Sequence, residues 1–276
     1  MKNEIKNVIS FYNMNPNIEW NRLNGKYSNI EKTIVHRTID KYINQTADIL
    51  DLGCGPGRHA IELAKKGHKV FLVDIAQANL DFAFNEFKRN GLEDKLIGME
   101  CTSAHEFRIN YRFDAVLAFG PFYHIIDESS ITMTLENIRA MVTETGYVFV
   151  IFIQMISIFK DFLKRGWINE IRTIIDSKYP QTGIFYPANK KQIEQYMPDF
   201  RAYRYTDARQ MLENAQYVVK EIITCESFAA FMRPYFENLE FSDEEYSKLL
   251  DELYDMAGQD FILNSTDHYL VVAKKI

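Results

Sequence analysis

Three features of the sequence predict an α/β fold, a parallel sheet covered by helices on both faces. From residue 47 onward, short apolar runs alternate with helical stretches of about a dozen residues, the pattern of right-handed βαβ units. The runs are apolar throughout, as strands are when helices cover both sides. The first run ends in a glycine cluster that opens directly into a helix.

The elements follow in order. Residues 1–44 read as amphipathic helices: Ile5, Val8, Ile9 and Tyr12 recur at helical spacing until Asn15-Pro16-Asn17 breaks the pattern, and Ile30, Ile34, Arg37 and Tyr42 mark a second stretch. Strands are predicted at 48–52, 69–73, 95–99, 113–119 and 147–153. Helices are predicted at 58–66, with Gly67 as its C-terminal cap, at 76–89, stopped by Asn90-Gly91, and at 129–142. After residue 153 the alternation stops. Residues 154–180 read as long helices rich in Ile, Phe and Trp, 190–197 as a helix, 200–205 as a strand, 207–260 as largely helical and 268–273 as a closing strand. Within them, Ser242-Asp-Glu-Glu245 resembles a capped helix start. The division expected is a helical cap (1–44), a ligand-binding core (45–153), a helical lid or substrate region with a sheet strand near 200–206 (154–262), and a last strand returning to the core (263–276).

Composition narrows the class. A chain of 276 residues with 47% hydrophobic and 25% charged residues has apolar material enough to offset the ordering entropy, which excludes a disordered chain. Aromatic residues at 14% are enough to line a large cavity. The longest apolar run, 147–159, is interrupted by Gln154 and falls short of the roughly 20 residues of a membrane span; the opening MKNEIKNVIS carries no signal-like apolar stretch. No membrane partner is expected. Cys54, Cys101 and Cys225, odd in number and far apart, read as reduced thiols of a cytoplasmic protein. The net charge of -6 weighs against a nucleic-acid partner. His36, His59, His68 and His105 have no metal-ligand spacing with the cysteines, so no metal is expected.

The glycine cluster carries the functional signal. Asp51-Leu-Gly-Cys-Gly-Pro-Gly57 joins the first strand to a helix. Gly53, Gly55 and Gly57 let the backbone turn sharply and approach a ligand, and the following helix start favours an anionic group. A dinucleotide fingerprint would need glycine at Arg58, and a phosphate loop would need Gly-Lys-Ser/Thr where Gly57-Arg58-His59 stands. Both phosphate readings are weakened. Asp74 ends the second strand about 20 residues on, where a carboxylate can accept hydrogen bonds from two ribose hydroxyls; a helix N-cap is its alternative.

These residues resemble a known family. Residues 48–57 (DILDLGCGPG), with Val73-Asp74 and Phe113-Asp-Ala-Val116, look like the class I S-adenosylmethionine-dependent methyltransferases. Gly120-Pro-Phe-Tyr-His-Ile125, Glu19-Trp-Asn-Arg-Leu23 and Ser265-Thr-Asp-His-Tyr269 resemble one subgroup. The likeness is clear over 10–153 and 260–275 and faint between them. It implies a Rossmann-like, doubly wound, mostly parallel seven-stranded sheet with helical lid additions, and S-adenosylmethionine as cofactor. It further implies that Asp51 and the loop with Gly53, Cys54, Gly55 and Gly57 hold the methionyl part, that Arg58 reaches its carboxylate, that Asp74 takes the ribose and that Ile75 packs on adenine. Asn79, Phe119 and Gly120 complete the cofactor set. Cys101 stands where relatives place an acid toward the adenine amino group, with Thr102 and Ser103 as substitutes. Tyr12, Trp20 and Arg22 are expected to close over the cofactor, and a packing helix is their alternative role.

Methyl transfer is an in-line displacement in which the protein positions, desolvates and deprotonates. His124 is the candidate base, with Tyr123 beside it; both have an orienting role as the alternative. His268, at the start of the last strand, reads as a satisfied core histidine, with a proton shuttle as its alternative role. The acceptor expected is a small molecule, attacked at O, N or C. An RNA or protein methyltransferase, and a non-catalytic cofactor-binding regulator, are the alternatives, and Arg58 disfavours a nicotinamide dehydrogenase.

Overall fold

The computed structural model describes residues 3–22, 24–186, 198–233 and 235–276. Its centre is a seven-stranded sheet built from β1 (Asp48–Leu52), β2 (Lys69–Asp74), β3 (Leu96–Cys101), β4 (Phe113–Ala118), β5 (Val142–Ile153), β8 (Tyr217–Thr224) and β9 (His268–Lys275). The spatial order is β3-β2-β1-β4-β5-β9-β8. The first five strands are parallel, and β9 runs antiparallel to both β5 and β8. The strand order reverses between β1 and β4, so the chain leaves these neighbours in opposite directions and opens a crevice at their carboxyl ends.

Residue alternation divides each strand between two cores. In β4, Ala115 and Leu117 face one core while Val116 and Ala118 face the other. In β9, Leu270 and Val272 join the first core, and Tyr269, Val271 and Ala273 the second. The first core is closed by α3 (Lys26–Tyr42), α4 (Arg58–Lys65), α5 (Gln77–Arg89) and α12 (Asp243–Met256), through residues such as Ile34, Ile61, Leu80 and Leu253. The second is closed by α7 (Glu128–Met141) and α11 (Tyr205–Asn214), through Ile131, Leu135, Ile138 and Leu212. Asp127 starts α7 by accepting hydrogen bonds from the Ser129 and Ser130 N–H groups at 3.1 and 3.2 Å.

Above the carboxyl edge lie two additions. α1 (Asn3–Met14) and α2 (Pro16–Asn21) cross one side. On the other, α8 (Ser157–Lys164), α9 (Ile168–Ile175), α10 (Tyr179–Thr182) and the ribbon of β6 (Ile184–Phe185) and β7 (Phe200–Arg201) enclose a small third core of Ile158, Phe162, Ile174, Tyr179, Phe185 and Phe200. Among the described residues no helix is long and apolar enough to cross a membrane.

The structure corrects several expectations. The strand expected at 200–205 is only β7, which pairs with β6 outside the main sheet; Tyr203 adds an isolated bridge to Gln154. The missing strand is β8, inside the stretch read as helical; Val218, Val219, Ile222, Ile223 and Thr224 are β-branched and suit a pleated surface. The fifth strand begins at Val142, and the segment 142–146 is part of it with a register shift. Gly146 is needed there because a Cβ would lie 2.7 Å from the Asp114 carbonyl oxygen. The long helices expected at 154–180 are three short ones, α8 to α10. The helix expected at 190–197 lies outside the described residues.

Candidate active site

β1 delivers the chain into the crevice at Asp51, and the turn that follows is made by backbone in the left-handed region. At Gly55 φ is +54°, and an added Cβ would meet nothing within 4 Å, because this residue faces open cavity. At Gly57 φ is +80°, and a Cβ would lie 2.8 Å from Cβ of Ala83, so glycine there lets α4 start against α5. Asp74, at the end of β2, holds the turn from the side. Its carboxylate accepts from the Gly55 N–H at 2.8 Å, from the Ala76 N–H at 2.8 Å and from the Asn79 amide at 3.2 Å. Burial raises its pKa, and these hydrogen bonds act against the rise. Asp51 is buried and accepts no hydrogen bond from a described residue, so burial, aided by the charge of Asp74, pushes its pKa up to about 7.

One cavity of about 1180 Å³ runs from this turn across the carboxyl edge of the sheet. At one end it is lined by Asp51, Gly53, Cys54, Gly55, Asp74, Ile75, Asn79, Thr102 and Ser103. Its middle is walled by Phe119, Gly120, Tyr123 and His124 from the β4 exit and α6 (Pro121–His124), and by Tyr12 and Arg22 from the N-terminal helices. At the far end are Ile151, Ile153, Lys160, Phe231, Arg233 and His268. Arg22 donates to Glu31 on α3 at 3.2 Å. Burial of the Glu31 carboxyl opposes ionisation, but the Arg22 guanidinium together with the nearby imidazoles of His268 and His59 outweighs it and lowers the pKa below its ordinary value.

Comparison with known proteins agrees with this geometry. Residues 49–146 match the family model described as a methyltransferase domain. The solved S-adenosylmethionine-dependent methyltransferase from Clostridium acetobutylicum superimposes with a TM-score of 0.56 at 16% identity, over 90% of this chain and 92% of that one. Residues 49–146 thus carry a methyltransferase domain, and the fold around it is the one the solved S-adenosylmethionine-dependent methyltransferases share. The 1,6-didemethyltoxoflavin-N1-methyltransferase from Burkholderia thailandensis shares the fold at a TM-score of 0.56 and 13% identity, over 89% of this chain and 77% of that one. A ubiquinone biosynthesis O-methyltransferase from Bradyrhizobium diazoefficiens is 28% identical over 131 residues, 48% of this chain and 46% of the relative. The chain thus spans about half the length of that curated relative.

The cofactor of these methyltransferases carries an ammonium, a carboxylate, a ribose and a sulfonium, and the residues present fit it. Asp51 lines the cavity and accepts no hydrogen bond among the described residues, so a cation is a fitting complement to it. Nε of Arg58 and Oδ1 of Asn79 are buried without a hydrogen-bond partner among the described residues. Three hydrogen bonds leave the Asp74 carboxylate acceptor capacity for a further donor.

Most of the residues expected from sequence line the cavity, but Gly57, Cys101 and Trp20 do not. Gly57 packs on Ala83. Cys101 is exposed at the end of edge strand β3, its Sγ directed to the Ile75 carbonyl at 3.7 Å. Trp20 packs on Phe82 at 5.4 Å between ring centroids and carries the Arg58 guanidinium 4.5 Å over its ring, while Arg58 also donates to Asn24 at 2.7 Å. Trp20 therefore steadies Arg58 without touching the cavity itself.

His124 is engaged at both nitrogens. Nδ1 donates to the Asp199 carbonyl at 3.1 Å, which leaves Nε2 to accept from the Tyr12 hydroxyl at 2.9 Å. Burial lowers its pKa, so it stays neutral and ties α1 to α6. This arrangement favours the orienting role over that of a base. Sequence reasoning passed over Glu31 and Glu226 altogether and took His268 for core. His268 instead lines the cavity; antiparallel β9 pairs its first residue with Ile153 at the carboxyl end of β5. The only signal in the sequence was the 265–269 segment.

Proposed function

We propose that this methyltransferase transfers a methyl group from S-adenosylmethionine to a small molecule bound in the far half of the same cavity. One observation carries the reading: the cavity, at about 1180 Å³, exceeds the roughly 300–1,000 Å³ of a site for one small ligand and is continuous from Asp74 to His268. Bound at the glycine-loop end, the cofactor supplies a methyl group made electrophilic by positively charged sulfur.

The residues of this chain supply the rest. Asp51, Gly55, Arg58 and Asp74 are suited to anchor the donor. Phe119 and Tyr123 offer aromatic faces to a cation between the two halves, each worth about 0.5–2 kcal/mol. Tyr12, through His124, holds α1 across the opening and limits water. The apolar side chains of Ile151, Ile153 and Phe231 favour an acceptor with an apolar body. The net charge of -6 speaks against a polyanionic acceptor.

Isothermal titration with S-adenosylmethionine and S-adenosylhomocysteine tests the anchor. Binding is expected, and Asp74→Ala should abolish it while circular dichroism stays native. Folded protein that takes up neither compound refutes the reading.

A further inference from the structure

We infer that His268, oriented by Glu226, accepts the proton of a hydroxyl-bearing methyl acceptor, an assignment that rests on the methyl-transfer reading above. The juxtaposition is a product of topology. β9 runs against every other strand of the sheet and pairs antiparallel with β8, Thr224 opposite Tyr269. The end of β8 and the start of β9 therefore meet at the carboxyl edge of the parallel strands. Glu226 follows the one and His268 opens the other.

The pair has the geometry of an oriented base. Nδ1 of His268 donates to Oε1 of Glu226 at 2.6 Å. The other carboxylate oxygen of Glu226 accepts from the Thr266 hydroxyl at 2.8 Å and from the His268 N–H at 3.1 Å. Glu226 is thereby fixed, and it sets the imidazole tautomer with its lone pair at Nε2. Nε2 has no hydrogen-bond partner among the described residues, and the side chain lines the cavity. This is the reverse of His124, where both nitrogens are taken.

The groups facing the ring favour the protonated product. Glu226 approaches from the turn after β8, Glu31 from α3 and Asp267 from the preceding residue, while the Tyr123 ring of α6 lies 6.3 Å away between centroids. Burial disfavours the imidazolium, but the three carboxylates outweigh it and raise the pKa above its ordinary value. A base so strengthened matches a hydroxyl of phenolic or enolic acidity. In the step, the O–H bond would break and the proton go to Nε2; the oxygen's electron pair would form the bond to the methyl carbon as the carbon–sulfur bond breaks, the pair of that bond staying on sulfur so that S-adenosylhomocysteine leaves as a neutral thioether. Water takes the proton back from the imidazolium after product leaves.

One oxygen each of Glu31 and Glu226 and one nitrogen of His268 also lie within 4.8 Å of one another, a spacing open to a metal ion. Their hydrogen bonds favour the proton-transfer role. Glu31 is held by Arg22, and Glu226 already accepts three hydrogen bonds.

Diethyl pyrocarbonate modification of the full chain, mapped by mass spectrometry across pH, tests the assignment without a known acceptor. His268 should react and His124 should not. The His268 profile should have its midpoint above 6.5, shift down by roughly one unit or more in Glu226→Gln, and recover in Glu226→Asp. An unreactive His268, a midpoint at or below the ordinary value in the wild type, or no response to Glu226→Gln overturns the proposal. So does tight binding of Zn²⁺ or Mn²⁺, each titrated alone, that Glu31→Gln abolishes. For the hydroxyl class the probe is 4-nitrophenol, whose anion is coloured. Below the pKa of the free probe, wild-type protein should raise the phenolate absorbance and His268→Gln should not; no change on the wild type overturns the acceptor class. S-adenosylhomocysteine titrated into the same proteins separates the two readings: its binding should be unchanged in the Glu226 and His268 variants. A protein that fails to bind it while its His268 profile behaves as stated sinks the cofactor reading and leaves the dyad.

Discussion

Replacing Asp51 by Asn separates what the buried carboxyl costs the fold from what it gives the ligand. The carboxyl moves from an ordinary 3.8 to about 7 in the folded chain, a shift of about three units. At 1.36 kcal/mol per unit, this makes the ionised form cost the fold about 4 kcal/mol. Because the folded pKa lies above the unfolded one, the group's contribution is fully present below pH 3.8 and is lost as pH rises to about 7. Asn cannot ionise. At pH 8 the Asp51→Asn protein should therefore be more stable than wild type by an amount approaching 4 kcal/mol, with the advantage fading toward pH 4. At roughly 2 °C per kcal/mol for a chain of this size, the melting temperature should rise by about 8 °C.

The ligand reverses the balance. A cation seated beside Asp51 drives it fully ionised, so binding at pH 7, where the carboxyl is near half ionised, should release about half a proton per cofactor. Titration calorimetry in buffers of different ionisation enthalpy reads this number. Asp51→Asn should abolish the release and weaken binding by ten-fold or more. A variant that melts below wild type at pH 8, or wild-type binding without proton release, refutes the reasoning.

Other expectations rest on single contacts. Gly57→Ala places a Cβ 2.8 Å from Ala83 on left-handed backbone and should cost about 2–5 kcal/mol in urea unfolding, whereas Gly55→Ala meets open space, should cost about 1–2 kcal/mol, and should weaken S-adenosylhomocysteine binding, read by calorimetry. Tyr12→Phe removes the hydrogen bond to His124, worth about 0.5–1.5 kcal/mol, and should speed amide exchange in α1 with little change in the sheet. Asp127→Ala strips two N–H groups of α7 of their acceptor and should cost about 0.5–2 kcal/mol by thermal melting.

The first five strands, the helices between them, the glycine turn and the place of Asp74 were legible in the chain itself. Each rests on a short-range rule: apolar periodicity, a helix stop, or backbone that only glycine adopts readily. Where those rules gave no contrast the reading slipped. β8 carries an exposed Lys220 and half-buried Val219 and Glu221 among its apolar residues, so neither period stands out, and only pairing with β9 decides that it is a strand. The small sheet of β6 and β7 joins two pairs of residues too short to register as strands.

Tertiary structure alone decided which polar side chains act together. His124 meets Tyr12 from 112 positions away, and this contact occupies its Nε2. His268 meets Glu226 and Glu31 because β8 ends and antiparallel β9 begins where a helix passes over the sheet. The charge state of Asp51 is set by its burial and by the charge of Asp74, properties of the surroundings that no local sequence pattern encodes. The backbone turn is a local matter of allowed angles, written in successive residues. Protonation and partnership depend on distances between remote parts of the chain, and these exist only once it has folded.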